Sequence, residues 1–293
     1  MKVLITGSSG FIGRNLKENL CNKYIIYGPS SSELDLLKEE QVKEYLKKHN
    51  FDIIIHSATW NATRNSGKDI KQVMSNNLRM FFNIGRCNKY YGKMIYFGSG
   101  AEYDKRYYKP KMPEEFFDTY VPVDEYGFSK YIMSKYTEHI HNIYNLRLFG
   151  VFGKYEDWEI RFISNAICKV IYDLPITMRQ NRIFDYLYID DLIPVIDYFI
   201  QNKPLYKFYN ITPDTSIDFY TITEKVKAIA KKNLPVIVAR PGFAIEYSGD
   251  NARFRKELPY IKFTSMDYAI TQLYTWYQNN LNLIDKDLLL FDK

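Results

Sequence analysis

The sequence predicts an α/β fold, a doubly wound parallel sheet followed by a smaller C-terminal α/β substrate lobe. Through the first half of the chain, short apolar runs alternate with amphipathic segments, a pattern typical of a parallel sheet with helices on both faces. The first run, residues 3–5, ends at a glycine cluster and leads into a helical pattern. Strand, glycine turn and helix in that order are typical of a Rossmann-type dinucleotide site.

The remaining elements follow from the same alternation. In the first half, strands are predicted at 24–27, 51–56, 93–97 and 145–149, and helices at 39–48, 70–88 and 126–141. In the less regular second half, helices are predicted at 160–172, 190–201, 221–232 and 268–279, and strands at 184–188, 208–211 and 235–239. We therefore expect a dinucleotide-binding domain over 1–150, with returning segments near 186–212. Residues 151–293 would form mainly the substrate-binding lobe, across a cleft.

Composition excludes several classes of protein. The chain has 293 residues, and its 40 basic and 34 acidic residues give a net charge of +6 without a basic stripe, so we expect no nucleic-acid partner. No apolar run approaches the ~20 residues of a membrane helix, and no signal-peptide pattern precedes the first strand. The scattered cysteines Cys21, Cys87 and Cys168 predict free thiols in a reducing, cytoplasmic setting and no metal site.

The glycine cluster predicts a pyrophosphate site. Gly7, Gly10 and Gly13 have the spacing G-x-x-G-x-x-G between the first strand and the first helix. Glycine allows a tight turn and a close approach of the backbone to a ligand, and the helix N-terminus offers unpaired N–H groups.

A tyrosine–lysine pair provides a candidate for proton transfer. Tyr126 and Lys130 lie four residues apart on a predicted helix and so share one face. An ammonium group beside a phenol favours the phenolate and lowers the phenol pKa from its usual value near ~10. Such a tyrosine can act as a general acid or base.

Seven segments together resemble the extended short-chain dehydrogenase/reductase (NAD-dependent epimerase/dehydratase) family, which acts on nucleotide-activated sugars. They are TGSSGFIG at 6–13, DIIIHSA at 52–58, NNL at 76–78, FGSGAEY at 97–103, YxxxK at 126–130, RLF at 147–149 and YLYIDDL at 186–192. The resemblance implies that Ser99 polarises the sugar oxygen, Tyr126 transfers the proton and Lys130 assists it. It also implies a set of cofactor-binding residues: Gly7, Ser9, Gly10, Phe11, Ile12, Gly13, Asp35, Leu36, Ser57, Ala58, Asn77, Tyr126 and Lys130.

Within that family the chain looks most like GDP-fucose synthase and related 4-keto-sugar reductases, with two departures. The epimerising members use a cysteine two residues after the serine and a histidine in the lobe, but this chain has Ala101 and no histidine between 151 and 185. The dehydratases need a carboxylate at a fixed position after the serine, and here Glu102 lies one residue beyond that position. We therefore expect a nucleotide-sugar 4-ketoreductase. A 4-epimerase with tightly bound NAD and a non-catalytic NADP-binding protein remain the alternatives.

The type of cofactor, the residues that bind the substrate and the oligomeric state follow less directly from the sequence. The predicted second strand ends in serines without an acidic residue, with Arg14 nearby, so we expect NADP, with NAD possible. The nucleotide diphosphate of the substrate needs arginines, and the candidates are Arg161, Arg179, Arg182 and Arg253. Family resemblance implies a homodimer through the helices predicted at 70–88 and 126–141.

Overall fold

A parallel sheet forms the centre of the structure, a computed structural model that describes residues 1–60 and 67–291. In the described part, six strands lie in the order β2–β1–β3–β4–β5–β10, all parallel. They are β1 (Lys2–Thr6), β2 (Ile25–Tyr27), β3 (Phe51–His56), β4 (Tyr91–Ser99), β5 (Ile143–Leu148) and β10 (Phe208–Ile211). This confirms the predicted α/β fold.

The remaining strands pair in twos: β6 (Gly150–Phe152) with β9 (Tyr186–Tyr188), β7 (Ile176–Asn181) with β12 (Val236–Phe243), and β8 (Ile183–Phe184) with β11 (Ile217–Asp218). The helices are α1 (Phe11–Leu20), α2 (Glu39–His49), α3 (Val73–Gly85), α4 (Glu125–His139), α5 (Phe162–Ile171), α6 (Ile189–Gln201), α7 (Phe219–Ala230), α8 (Ala252–Glu257) and α9 (Met266–Gln278). None of these helices is long and apolar enough to cross a membrane.

Successive side chains of the sheet enter two separate cores, because residues alternate between the faces of a strand. Val3 and Ile5 pack with α1 and α6 on one face, whereas Leu4 packs with α2 and α3 on the other. Both faces of the central strands are therefore buried, which explains their continuous apolar runs.

A third core belongs to the C-terminal lobe, where α5, α7 and α9 pack together beside β7. The chain does not stay in this lobe. It returns to the sheet as α6, which packs on α1, and as β10, which extends the sheet beside β5. The returning segments expected near 186–212 correspond to these two elements.

Two element predictions were wrong in detail, for local reasons. The single strand predicted at 184–188 is broken at Asp185, whose buried carboxylate accepts hydrogen bonds from Ser216 Oγ at 2.6 Å and from Gly249 N at 2.8 Å. The helix predicted at 70–88 consists of 3₁₀ turns at Ile70–Gln72 and Asn88–Tyr90 on either side of α3. The sequence predicted no element at β6, β7, β11 or α8.

A buried ion pair joins three segments of the first domain. Arg147 Nε on β5 donates to Glu102 Oε2 at 2.5 Å, and both side chains are fully buried. Asn145 Nδ2 donates to both oxygens of Glu102 at 3.0 Å and to Ser134 Oγ of α4 at 2.8 Å. The guanidinium also lies over the ring of Phe117, 4.5 Å from its centroid. The pair therefore connects β5, α4 and the turn after β4.

Replacing Arg147 by methionine tests this network. Arg147→Met leaves the Glu102 carboxylate buried without its cationic partner, and breaking a buried pair from one side costs about 3–5 kcal/mol. We expect a large fall in the urea midpoint, measured by far-UV circular dichroism. Arg86→Met is the matched control, because the Arg86 side chain is half-exposed and its ion pair with Glu39 lies on the surface. Equal losses in the two variants would contradict the prediction.

Candidate active site

A cleft of about 1500 Å³ runs along the carboxyl ends of the sheet strands and under the C-terminal lobe. It begins at the switch point of the sheet, between β1 and β3, where ligands bind in open α/β folds. Most of the predicted site residues line it: Gly7, Ser9, Gly10, Phe11, Ile12, Asp35, Leu36, Ser57, Ala58, Ser99, Tyr126, Lys130, Arg161, Arg179 and Arg182.

The turn after β1 is built by glycines that leave no room for side chains. Gly7 has φ of +68°, and a Cβ there would lie 2.7 Å from Ala58 Cα on the neighbouring strand end. A Cβ at Gly13 would lie 2.2 Å from the Gly7 carbonyl oxygen. The sequence had suggested that Gly13 contacts a ligand, but Gly13 does not line the cleft. Its role is to let α1 pack against the turn.

The N-terminus of α1 faces the cleft and fits an anion. Gly10 is the N-cap and has no side chain to occupy the N–H groups of the first turn. Gly10, Phe11 and Ile12 all line the cleft, so these N–H groups and the positive end of the helix are available to a pyrophosphate. The residues present therefore fit a dinucleotide.

Asp35 and Leu36, two of the predicted cofactor-binding residues, lie in a turn that is held by its own hydrogen bonds. Leu36 is buried, and its carbonyl oxygen is fixed by Asn83 Nδ2 at 2.8 Å. The Asp35 carboxylate accepts from Leu37 N at 3.0 Å, so the turn holds its own shape. Both residues line the cleft.

Arg14 was expected near the serine turn, which we define as residues 30–32 after β2, but it is engaged elsewhere. Arg14 Nε donates to Glu18 Oε1 at 3.0 Å, and its guanidinium stacks 3.7 Å from the centroid of the Tyr155 ring. Lys17 lies beside this turn, because a Cβ added at Gly28 would be 3.3 Å from Lys17 Cδ. Arg14 therefore gives no support to the NADP expectation.

The serine turn also holds a carboxylate of its own. Glu33 Oε2 accepts from Ser30 N at 2.7 Å and from Ser30 Oγ at 2.8 Å. These hydrogen bonds lower the pKa of Glu33, so the turn binds an anion supplied by the chain itself. The same N–H and hydroxyl groups are of the kind that bind phosphate.

Ser99 is held at the end of β4 by a capping box. Its Oγ accepts from Ala101 N at 3.1 Å, while Glu102 Oε1 accepts from Ser99 N at 3.1 Å. Because Glu102 is also paired with Arg147, its carboxylate is buried behind the cleft and lines no part of it. It is not in position to act as the base that a dehydratase needs.

Tyr126 and Lys130 lie on the first turns of α4, which begins at Asp124 with its carboxylate accepting from Gly127 N at 3.0 Å. Tyr126 is 41% exposed, toward the cleft, whereas Lys130 is buried. Lys130 Nζ donates to the Phe97 carbonyl oxygen at 2.9 Å and lies 5.9 Å from the centroid of the Tyr126 ring. The backbone of β4 therefore aims the ammonium beneath the tyrosine.

The surrounding protein shifts the pKa of each group in the site. Burial of the cleft floor raises the pKa of Tyr126 above its usual value, while the hydrogen bond to Ser99 and the nearby Arg161 lower it. Burial lowers the pKa of Lys130 to about 8, with the Glu102 charge opposing the shift. Burial also lowers the pKa of His56 to about 3, so this ring is neutral and bonds only Thr6 Oγ1, at 2.9 Å.

Besides Gly13, two other predicted site residues do not line the cleft. Asn77 Oδ1 accepts from Trp60 N at 2.7 Å and from Thr59 Oγ1 at 3.2 Å, so it fixes the wall from behind. Arg253 Nη2 pairs with Glu115 Oε1 at 2.5 Å on the surface, outside the cleft. Arg253 sits on α8, which packs on the sheet rather than on the lobe, and we remove it from the substrate-binding set.

Sequence analysis missed a wall of aromatic residues around Ser99. Tyr247 is central to it, with ring centroids 4.9 Å from Phe149, 4.8 Å from Phe184 and 5.2 Å from Tyr108. It also missed Glu156 of the lobe, a cleft residue whose carboxylate accepts from Ser164 Oγ at 2.7 Å. Burial raises the pKa of Glu156 to about 8, so it carries a proton at neutral pH.

Substituting Gly7 tests the tight approach of the two strand ends. Gly7→Ala puts a methyl group 2.7 Å from Ala58 Cα, and we expect more than tenfold weaker NADPH binding in a fluorescence titration. Gly242→Ala is the matched control, since Gly242 also has positive φ, +74°, but no atom within 4 Å of the new Cβ. It isolates the backbone cost of about 1–2 kcal/mol. Equal NADPH affinity in the two variants would show that the contact does not matter.

Comparison with known proteins agrees with this geometry. A profile of the NAD dependent epimerase/dehydratase family matches residues 3–212. The chain is 28% identical to the GDP-L-colitose synthase of Yersinia pseudotuberculosis over 255 residues, which cover 79% of this chain and 82% of that protein.

Solved structures share the fold at low identity. A GDP-L-fucose synthetase from Naegleria fowleri, bound to NADP, superposes with a TM-score of 0.84 at 16% identity, covering 96% of this chain and 93% of that one. A UDP-glucose 4-epimerase from Thermotoga maritima, with UDP-glucose, gives 0.82 at 18% identity, covering 96% and 100%. On the family match and on the site that the fold assembles, this chain belongs to the NAD-dependent epimerase/dehydratase family.

Proposed function

We propose that the protein reduces a nucleotide-linked 4-keto-6-deoxy sugar with NADPH. The observation that carries this proposal is the meeting of Ser99, Tyr126 and Lys130 in the same cleft as the glycine turn. These residues provide a hydrogen-bond donor and an acid for a carbonyl, as a reductase requires. Two departures argue against the epimerising synthases and the dehydratases: Ala101 replaces the epimerising cysteine, and Glu102 is sequestered by Arg147.

In this mechanism the chain's own residues bind and protonate the ketone oxygen. NADPH, when bound, supplies the hydride to the carbonyl carbon. Ser99 Oγ donates a hydrogen bond to the ketone oxygen and stabilises its developing negative charge. Tyr126 gives its proton to that oxygen, and the O–H bond of the phenol becomes the O–H bond of the new alcohol. The resulting phenolate is stabilised by the Lys130 ammonium and is reprotonated from solvent.

The substrate half of the cleft has the charge that a nucleotide diphosphate needs. Arg161, Arg179 and Arg182 line it, and guanidinium groups bind phosphate through paired hydrogen bonds. Arg182 is already oriented, since its Nε donates to the Ile245 carbonyl oxygen at 2.6 Å. The aromatic wall around Tyr247 offers an apolar surface to the methyl carbon of a 6-deoxy sugar. The GDP-L-colitose synthase relative supports a substrate of this kind.

The preference for NADPH rests on the turn after β2. Glu33, the first carboxylate after the strand, is folded back onto Ser30. Lys17, beside Gly28, supplies a positive charge for a 2′-phosphate. The NADP-bound fucose synthetase neighbour agrees with this proposal. The second candidate function, a 4-epimerase with tightly held NAD, would use the same three catalytic residues, and the UDP-glucose 4-epimerase shares the fold.

One experiment separates the two functions. The purified protein is denatured and the supernatant assayed for NAD, and the native protein is then offered NADPH with a 4-keto-6-deoxy GDP- or dTDP-sugar. We expect no stoichiometric NAD and a fall in absorbance at the nicotinamide band. Tyr126→Phe should lower this rate by about 10²–10⁴-fold, because it removes the acid. Tyr260→Phe, at an exposed position, is the matched control. Stoichiometric NAD release without NADPH oxidation would establish the epimerase instead.

We further propose a homodimer through α3 and α4, in a four-helix arrangement. The two helices pack side by side in one protomer, and half-buried Leu78 and Phe82 lie on α3. Light scattering at micromolar concentration should give about twice the 34.8 kDa mass of one chain. A monomer at that concentration would contradict the proposal.

A further inference from the structure

A second tyrosine hydroxyl lies at the catalytic serine. Tyr247 Oη is 3.5 Å from Ser99 Oγ, although the two residues are 148 positions apart in the sequence. Backbone hydrogen bonds hold Tyr247 from both sides, from its N to the Ile183 carbonyl oxygen at 3.0 Å and from Asp185 N to its own carbonyl oxygen at 3.1 Å. The hydroxyl is therefore carried by an ordered segment of the lobe, not by a free loop.

The turn after β4 is shaped to admit this hydroxyl. A Cβ at Gly100 would lie 2.7 Å from Tyr247 Oη and 2.6 Å from the Phe149 ring, so a side chain there would displace both aromatic groups. Tyr108 packs on the other side, and its hydroxyl donates to the Gly100 carbonyl oxygen at 3.1 Å. The approach of Tyr247 to Ser99 thus depends on a glycine beside the serine.

The hydrogen bonds of Ser99 decide what Tyr247 can do there. A serine hydroxyl has one proton to donate and two lone pairs to accept with. Ala101 N already donates to Ser99 Oγ at 3.1 Å, which leaves one lone pair. If Tyr247 donates to that lone pair, the Ser99 proton has to point away from the capping turn and into the cleft. The 3.5 Å separation is typical of a catalytic hydrogen bond that shortens when substrate binds.

We propose that Tyr247 is a positioning residue whose hydroxyl donates to Ser99 Oγ and thereby directs the Ser99 proton at the substrate oxygen. The proposal rests on the proposed reductase function, in which Ser99 is the donor to the ketone. It assigns to the lobe a direct part in setting up the catalytic group of the sheet domain. Tyr247 acts through Ser99, so its effect should disappear when the serine hydroxyl is removed.

A double-mutant cycle tests this dependence. Tyr247→Phe keeps the ring and removes only the hydroxyl, and we expect kcat to fall about tenfold, the equivalent of one hydrogen bond of about 1.4 kcal/mol, with KM for the sugar changed less than threefold. In the Ser99→Ala background the same change should have no further effect on kcat. A loss that is the same in both backgrounds, or that appears only in KM, would overturn the proposal. Tyr260→Phe controls for the chemistry of the substitution.

A measurement without sugar keeps this test separate from the test of the reaction. If the wild-type protein turns over no 4-keto sugar, the proposed function fails, and Tyr247 is then judged on the titration of Tyr126 in the NADP⁺ complex. The titration is followed by NMR on the ring carbons of ¹³C-labelled tyrosine, and the Tyr126 signal is identified by its absence in Tyr126→Phe. A Ser99 hydroxyl polarised by Tyr247 stabilises the Tyr126 phenolate. Tyr247→Phe should therefore raise the pKa of Tyr126 when Ser99 is present and leave it unchanged in Ser99→Ala; no shift in either background would overturn the proposal.

Discussion

The buried contact between Glu102 and Arg147 is the interaction on which the site depends. The Glu102 carboxylate accepts a hydrogen bond from Ser99 N and so fixes the end of β4. The Arg147 guanidinium belongs to the adjacent strand β5. Asn145 Nδ2 and Arg147 Nη2 both donate to Ser134 Oγ and so extend the network to α4. Since α4 carries Tyr126 and Lys130, one desolvated cluster sets the position of these two residues relative to Ser99. The same cluster also holds the Glu102 carboxylate in an ion pair, although this carboxylate lies next to Ser99.

The cleft divides its tasks between parts of the chain with different physical character. The cofactor half is made of backbone: glycine turns, a helix end and strand termini, whose geometry the sheet fixes. The substrate half is made of long side chains, such as Arg161 and Arg182, and of aromatic rings carried by short paired strands. Backbone sites suit a ligand common to a whole family, and side-chain sites suit one that differs between its members.

Local sequence signals predicted the parallel sheet and three residues, Ser99, Tyr126 and Lys130, that line one cleft, whereas distant contacts were out of their reach. The glycine turn and the Tyr126–Lys130 pair each lie within one element, so spacing alone reveals them. Tyr247 sits in an irregular segment between β12 and α8, and only folding brings it to Ser99. Arg253 shows the same limit from the other side, because the need for arginines near a diphosphate does not reveal that this one pairs with Glu115 outside the cleft.

The way the chain threads between its two parts has an evolutionary consequence. Across the described residues it enters the lobe three times: after β5, after β10, and again at α9 following α8, whose Phe254 belongs to the sheet core. A lobe built from three separate stretches cannot be exchanged by a single recombination event, as a terminal or inserted module could. New specificities on this architecture must therefore accumulate by point changes and small insertions in place. That history would leave relatives with a shared scaffold and strongly diverged lobes.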